Sequence, residues 1–206
     1  MKRLRVVPIV EGHGEVECVR ILIERAWREL GGEFVDVLRP IRGKRQKLVR
    51  KEDLGKAVRL AVSKLANPGL TPDPGLVLVL LDADTDPPCH LGPELLGFAQ
   101  EVASSTDVAC VLAKVEYETW FVAAAESLEE YLDLSEDEQV PENPEEQRLG
   151  KGWIEHRFKG TKYSETQDQP SMTAKMDLSL CRRRSPSFEK LCRDLARRLE
   201  AAESTG

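Results

Sequence analysis

Seven carboxylates stand at the ends of hydrophobic segments, where they could carry metal-dependent chemistry. They are Glu11, Glu15, Asp82, Asp84, Asp86, Glu116 and Glu118. The apolar run "LVLVLL" ends at Asp82, and two more aspartates alternate behind it. Since three like charges repel one another, the stretch is either a solvated acidic turn or a cation-binding loop. A cation-binding loop would indicate phosphoryl chemistry, because Mg²⁺ binds one or two carboxylates together with waters and substrate phosphates.

The segments that position these acids alternate between strands and helices. Short apolar runs predict strands over 5–10, 34–41, 76–81 and 107–115, and helical spacing of apolar residues predicts helices over 15–30, 52–66, 92–104 and 116–132. A Pro/Gly-rich turn is predicted over 67–75. The alternation predicts an open α/β sheet of mostly parallel strands with flanking helices. Ligands bind at the carboxyl ends of the strands in such sheets, and the acids stand there. A single D-x-D favours a solvated turn, whereas acids at three strand ends favour a metal site.

The character of the chain changes after residue 132. Residues 133–150 are acidic, contain prolines and have few apolar residues, so a surface excursion or partial disorder is predicted. A last helix is predicted over 185–202, with Ser187 as a candidate N-cap and an apolar stripe formed by Leu191, Leu195 and Leu199. We therefore predict an α/β domain over 1–132, and an acidic excursion and C-terminal helical extension over 133–206 that pack on it.

The composition of the chain argues against several classes of protein. The chain has 206 residues and a formal net charge of −6, which predicts one substantial domain without a general attraction to nucleic acid. Its five cysteines form no C-x-x-C pair, so a disulfide framework and a zinc knuckle are not expected. No apolar stretch approaches the roughly 20 residues of a membrane span, and the N-terminal apolar run is short for a signal peptide. We therefore expect a cytoplasmic protein that does not bind membranes.

A basic segment, residues 42–51, is the main candidate for contact with nucleic acid. Its basic residues are Arg42, Lys44, Arg45, Lys47, Arg50 and Lys51. Cationic side chains could follow a phosphate backbone, although a solvated loop leading into a helix is the alternative interpretation. Residues 181–188 form a second basic patch. His13 could contact a phosphate or only occupy a turn, and the pair Trp120-Phe121 favours core or a partner surface over base stacking.

The stretch "VPIVEGHGE", followed some way along the chain by "VLLDADTD", resembles a Toprim domain, which has a Rossmann-like fold. In that family a glutamate after the first strand and a D-x-D after the third hold Mg²⁺ for strand cleavage or phosphoryl transfer. The resemblance makes Glu11 a general acid/base or metal ligand, and Asp82 and Asp84 metal ligands. Asp86 and Glu15 match further acidic positions. No nucleophilic tyrosine is assigned, so the resemblance implies a hydrolytic nuclease and not a topoisomerase.

A narrower resemblance runs nearly from end to end of the chain. The stretches "VEYETWF" and "KYSETQDQPSMTAKMDLSLCRRRSPSFEKL" are similar to the uncharacterised Toprim-like proteins called domain of unknown function 4276. Members are often encoded beside an ATPase, which implies an ATPase partner and a role in defence against phage. The polar C-terminal motif is matched by Asp168, Gln169, Lys175 and Asp177. Of these, Lys175 could pair with a nucleic-acid phosphate or with the acids.

Two functions from different classes follow. The leading one is cleavage of DNA or RNA phosphodiesters, or another phosphoryl transfer, with Mg²⁺ or Mn²⁺ as cofactor. The alternative is a non-catalytic metal- or nucleotide-binding regulatory subunit of an ATPase complex. A haloacid-dehalogenase-like phosphatase is less favoured, because its D-x-D-x-T/V loop requires Thr or Val where this chain has Asp86.

Overall fold

Five parallel strands form the sheet that the sequence predicts. The computed structural model describes residues 4–66, 74–135 and 139–203. The strands are β1 (Leu4–Val10), β2 (Val35–Val37), β3 (Ile41–Arg42), β4 (Gly75–Asp82) and β5 (Asp107–Ala113). The helices are α1 (His13–Glu29), α2 (Arg45–Leu48), α3 (Lys51–Leu65), α4 (Pro88–Ala103), α5 (Glu118–Ala123), α6 (Lys151–Arg157), α7 (Asp168–Lys175), α8 (Leu178–Arg184) and α9 (Pro186–Glu203). A 3₁₀ turn, Ala125–Leu128, follows α5.

The strand order is β2-β1-β4-β5, and β3 also pairs with β1. All these pairings are parallel. The predicted strand over 34–41 is divided, because β2 pairs with the start of β1 and β3 with its end. Pro40 lies in the gap and has no N–H group to donate to a sheet ladder. The predicted fold class, an open parallel sheet with flanking helices and a C-terminal helical part, is confirmed.

Both faces of the sheet are covered, which explains the uniformly apolar central strand. Along β4, Leu76, Leu78 and Leu80 pack in one core with residues of α1, α5, α7 and α9, and we call this side the α1 face. Val77, Val79 and Leu81 pack on the other side with α3 and α4, and we call it the α4 face. Successive side chains of a strand point to opposite faces, so each residue's position in β4 fixes the core that it joins.

The C-terminal residues pack on the same core. Helix α7 packs against α1, and α9 packs against both α8 and β5. Residues 139–150 contain no helix or strand, but Pro144 and Glu145 within them are buried. Residues 136–138 and most of the predicted turn 67–75 lie outside the described part of the chain. The domain boundary near residue 132 stays a prediction.

Three sequence-based details differ from the structure. The helix predicted over 116–132 is only α5 and the 3₁₀ turn, because the Ala124 amide bonds the carbonyl of Phe121 in a tighter i−3 pattern. Ser187 does not cap α9. Ser185 does, since its Oγ accepts from the Phe188 amide at 3.2 Å, while Pro186 takes the first helical position. Helices α2, α6, α7 and α8 were not predicted.

Other side-chain predictions are confirmed. Trp120 and Phe121 are fully buried in the core of the α1 face, which leaves no surface for base stacking. All five cysteines are free, and four are buried while Cys89 is exposed. Leu191 and Leu195 of the α9 stripe are buried, and Leu199 packs on the same core. Within the described residues, every helix is too short or too polar to cross a membrane.

Candidate functional site at the carboxyl ends of the strands

The end of β1 brings two glutamates to the start of α1. Glu11 follows β1 directly, and Gly12 is the N-cap of α1. The Glu15 carboxylate folds back to accept a hydrogen bond from the Gly12 amide, which is one half of a capping box. A Cβ on Gly12 would lie 2.3 Å from Oε2 of Glu15. Glycine therefore lets the Glu15 carboxylate cover the positive end of the helix.

Asp82, the last residue of β4, lies on the α1 face. Its Oδ1 accepts a hydrogen bond from the Tyr117 amide at 2.9 Å, which links the ends of β4 and β5. Beyond it the backbone turns, and Asp84 has a φ of 49°. Continued extended backbone would place Asp82 and Asp84 on one side, and the left-handed conformation at Asp84 breaks that alternation. Aspartate adopts this left-handed conformation more readily than most residues, so the loop can turn here.

Arg45 of α2 holds the aspartate loop. Its Nε donates to the Asp82 carbonyl at 2.9 Å and its Nη2 to the Ala83 carbonyl at 3.0 Å. The same guanidinium forms ion pairs with Asp84, at 3.2 Å, and with Asp86. Only 14% of the Arg45 side chain is exposed, whereas the two aspartates are about half exposed. Arg45, which the sequence suggested as a nucleic-acid contact, is thus bonded to the site itself.

Glu116 and Glu118 follow β5 and complete the acidic edge of the sheet. Glu116 accepts a hydrogen bond from the Lys151 backbone amide at the start of α6. Glu118 is buried, and the Tyr163 hydroxyl donates to it at 3.0 Å. Glu118 is therefore held inside the protein by a residue of the C-terminal segment.

The C-terminal segment adds two residues to the site: Glu165, which sequence reasoning missed, and Gln169, which the polar C-terminal motif contained without a role. Glu165 forms an ion pair with Lys151 Nζ at 2.7 Å. Burial raises the pKa values of both Glu15 and Glu118, and the charge of Glu165 acts in the same direction. Gln169, one turn further on, is buried. The only sequence signal for these residues was the motif "SETQDQ", which contains both Glu165 and Gln169. We call the seven carboxylates that interact here the acidic cluster: Glu11, Glu15, Asp82, Asp84, Glu116, Glu118 and Glu165.

Burial and mutual repulsion disfavour ionisation in the acidic cluster. Burial, with the charges of Asp84 and Glu15, raises the pKa of Glu11 to about 7, against the opposing charge of Arg45. Burial also raises the pKa of Asp82 well above its ordinary value, and the charges of neighbouring glutamates act in the same direction. Burial and the charge of Glu116 raise the pKa of Glu118 to about 7. A bound cation would reverse these effects.

The donor set suits a hard cation that keeps part of its water shell. In the described part of the chain, no three His, Cys, Asp or Glu side chains form a ready-made metal site. Mg²⁺ requires only one or two carboxylates when waters and a substrate complete its shell. Oε2 of Glu11 and Oε1 of Gln169 are buried without a hydrogen-bond partner among the described residues. Such unsatisfied acceptors beside repelling carboxylates fit a cation better than a closed polar network.

Most of the candidate nucleic-acid residues are exposed on the surface of the protein. Arg42, Lys44, Lys47 and Arg50 are exposed. Lys51 forms an ion pair with Glu101 at 2.7 Å and lies over the Phe98 ring. Lys175 is exposed and pairs with Glu130 at 3.8 Å, so its acidic partner is outside the acidic cluster. His13 is exposed at the first position of α1.

Fold and site together define an α/β protein whose parallel sheet carries a cluster of carboxylates at the carboxyl ends of β1, β4 and β5. The chain matches the family described as "Domain of unknown function (DUF4276)" over residues 10–196, and it belongs to that family. No curated protein and no solved structure matches the chain significantly. The narrower resemblance stated from the sequence is therefore confirmed, while the link to Toprim domains stays a prediction.

We expect Gly14→Ala to destabilise the protein by about 1–3 kcal/mol through overpacking between α1 and α7. A Cβ at Gly14 would lie 1.9 Å from Oε1 of Gln169 and 2.8 Å from the backbone oxygen of Glu165. Urea denaturation measures the effect. Gly97→Ala is the matched control, because a Cβ there meets nothing within 4 Å and should stabilise helix α4 by roughly 0.5–1 kcal/mol. Equal effects of the two substitutions would contradict the close α1–α7 contact.

Proposed function

We propose that the protein is a Toprim-like nuclease that hydrolyses phosphodiester bonds of DNA or RNA with Mg²⁺ or Mn²⁺. The observation that carries the proposal is the gathering of Glu11, Asp82 and Asp84 at the ends of neighbouring strands, where burial and repulsion raise the pKa values of Glu11 and Asp82. Carboxylates kept together against their repulsion suit a divalent cation and a phosphate substrate.

Each residue of the site has a role that follows from its surroundings. Asp82, fixed by the Tyr117 amide, and Asp84 are the residues that would hold the metal, with Glu11 beside them. Bound there, the metal would polarise a phosphoryl oxygen and favour water as the nucleophile. Glu11 lies beside these aspartates with a buried oxygen that has no hydrogen-bond partner among the described residues, so it suits the role of general acid/base or of a further metal ligand. Arg45 keeps the aspartate loop in place.

The direct test is a cleavage assay with the purified full chain. Single- and double-stranded DNA and RNA of mixed sequence are incubated with Mg²⁺ or Mn²⁺, and parallel reactions contain EDTA. We expect metal-dependent products from at least one substrate. If neither metal supports cleavage, even when a cognate ATPase is added, the nuclease proposal is wrong.

Replacing two lysines of the basic segment should weaken nucleic-acid binding. Lys44→Gln with Lys47→Gln removes two exposed charges beside Arg45, so we expect roughly tenfold weaker binding and a salt dependence (slope of log K against log salt) that is shallower by up to about 1.8. Fluorescence anisotropy with a labelled oligonucleotide in EDTA measures both. Lys56→Gln with Arg59→Gln on α3 is the control with the same charge change, and an equal effect of both pairs would exclude a specific role of the basic segment.

A second candidate function is a metal-binding regulatory subunit of an ATPase complex. It is favoured by one observation: Arg45 already neutralises Asp84 and Asp86, which leaves the aspartate loop less charge for a catalytic metal. The buried pair Trp120-Phe121, which the sequence suggested as a partner surface, does not support it. A chain that binds Mn²⁺ through Asp82, cleaves nothing and changes the rate of an added ATPase would favour this function.

A further inference from the structure

A cavity of about 380 Å³ lies at the outer edge of β5, between α4, residues 143–146 and the start of α9. Its lining includes Cys110 and Leu112 of β5 and Gly92 and Pro93 of α4. Cys110, Leu112 and Gly92 are buried and form an apolar floor, and Pro93 lies exposed beside it. The volume lies within the roughly 300–1,000 Å³ range of small-molecule sites. The cavity is therefore large enough for one small organic molecule.

The cavity is a different place from the acidic cluster. Cys110 and Leu112 belong to the core of the α4 face. Asp82 follows the alternation of Leu76, Leu78 and Leu80 and lies on the α1 face. The cavity also touches α9, which packs on the α1 face, so it lies at the β5 edge of the sheet. No residue of the acidic cluster lines it, and an inference about it does not rest on the proposed function.

The rim of the cavity is basic, and part of its charge is unneutralised. Lys114, Arg184, Lys190 and Arg193 line it. Arg184 forms an ion pair with Glu126 at 2.7 Å, and Lys190 forms one with Asp194 at 2.6 Å. Within the described residues, the side chains of Lys114 and Arg193 have no ion-pair partner, and Lys114 is only partly exposed.

Among the described residues, neither acid of the same lining, Glu145 or Glu146, forms an ion pair with these two cations. Glu145 is buried, and its Oε1 accepts from the Ser187 amide at 3.0 Å and from the hydroxyls of Ser185 and Ser187. Glu146 is exposed to solvent. An anionic group at the mouth of the cavity would meet two cations, while an apolar group would lie on the floor.

We propose that this cavity binds a small amphipathic anion. Its ring or hydrocarbon body lies on Cys110, Leu112 and Pro93, and its phosphate or carboxylate lies between Lys114 and Arg193. Burial of the apolar body and charge-assisted hydrogen bonds to the head both favour binding. A mononucleotide and an aromatic carboxylate share this chemistry.

The first test uses anilinonaphthalene sulfonate, a fluorescent aromatic anion, and phenylnaphthylamine, a neutral compound with the same rings. We expect Lys114→Gln and Arg193→Gln each to weaken binding of the anion by about tenfold and to leave the neutral compound nearly unchanged. The control is Arg197→Gln, an exposed arginine one turn further along α9 that does not line the cavity. Anion binding that is insensitive to Lys114→Gln and Arg193→Gln would overturn the proposal.

The second test fills the cavity without changing charge. A Cβ at Gly92 has only Leu112 Cδ1 at 4.0 Å, so Gly92→Leu should extend into the cavity and abolish binding of both compounds. The Gly97→Leu variant, substituted on the same helix, should bind both compounds as the unsubstituted protein does. Displacement of the probe by adenosine monophosphate would indicate a phosphate ligand, and displacement by salicylate a carboxylate ligand. Equal probe binding by the two leucine variants overturns the proposal; if Gly92→Leu does not fold, the charge variants decide.

Discussion

Asp82→Asn should reduce Mg²⁺- or Mn²⁺-dependent phosphodiester cleavage by on the order of a thousandfold, with the fold intact. The substitution removes the charge that a cation would need at the end of β4. It keeps an oxygen that can accept the hydrogen bond from the Tyr117 amide, which is 2.9 Å long in the unsubstituted protein. Rates are measured under single-turnover conditions across a range of metal concentrations, so that weaker metal binding is separated from slower chemistry.

Asp86→Asn is the matched control for this substitution. Asp86 is about half exposed and pairs with Arg45, so its replacement loosens the loop without removing a charge from the floor of the site. We expect no more than about a tenfold loss for this variant, since an exposed ion pair contributes little. Equal losses in the two variants would show that the loop, and not a cation at Asp82, supports cleavage. An unchanged rate in Asp82→Asn would place the chemistry elsewhere.

Much of the sheet could be predicted because its signals are local. β4 is uniformly apolar since it is buried on both faces, and α1 and α3 repeat apolar residues at helical spacing. The predicted second strand is divided near Pro40, since proline has no N–H group to donate to the sheet. The short helices α6 and α8 have only seven residues each, and α7 has eight. Such helices are marginal by themselves and depend on tertiary packing, which no local pattern records.

The site residues that stand at strand ends could be predicted from the sequence. Glu11, Asp82 and Glu116 follow strands whose order in a parallel sheet brings their ends together. The Arg45 contacts with the backbone of the aspartate loop join residues far apart in sequence. The same holds for the contact of Tyr163 with Glu118. Helical periodicity and motif spacing carry no information about such contacts.

In the absence of metal, stability should fall as the pH rises from about 5 to about 8. The pKa of Glu118 is about 7 in the folded protein, against an ordinary value of 4.5. Between these values the folded state keeps a proton that the unfolded state has released, so raising the pH favours unfolding. Glu118 contributes about 3 kcal/mol to this loss, and Glu11, which is more exposed, about 1 kcal/mol after solvent screening. The melting temperature should fall by roughly 10 °C.

Mg²⁺ or Mn²⁺ should reduce this pH dependence, because a cation that binds only the folded state at Asp82, Asp84 and Glu11 replaces the Glu11 proton. Its charge also favours the ionised form of Glu118, which interacts with Asp82. At a concentration a hundred times its Kd, the metal adds about 2.7 kcal/mol to the free energy of unfolding, and this increment should be larger at about pH 8 than at about pH 5.

Glu118→Gln keeps an acceptor for the Tyr163 hydroxyl and removes the titrating carboxyl group. It should therefore stabilise the metal-free protein at about pH 8 by about 2–3 kcal/mol and flatten the pH dependence of its stability. Glu94→Gln, at an exposed position of α4, is the control and should leave the profile unchanged. Thermal unfolding across this pH range, with each metal and with EDTA, measures the effects of pH, of metal and of both substitutions on the melting temperature. A melting temperature that responds neither to pH nor to millimolar metal would favour a solvated acidic edge over a cation site.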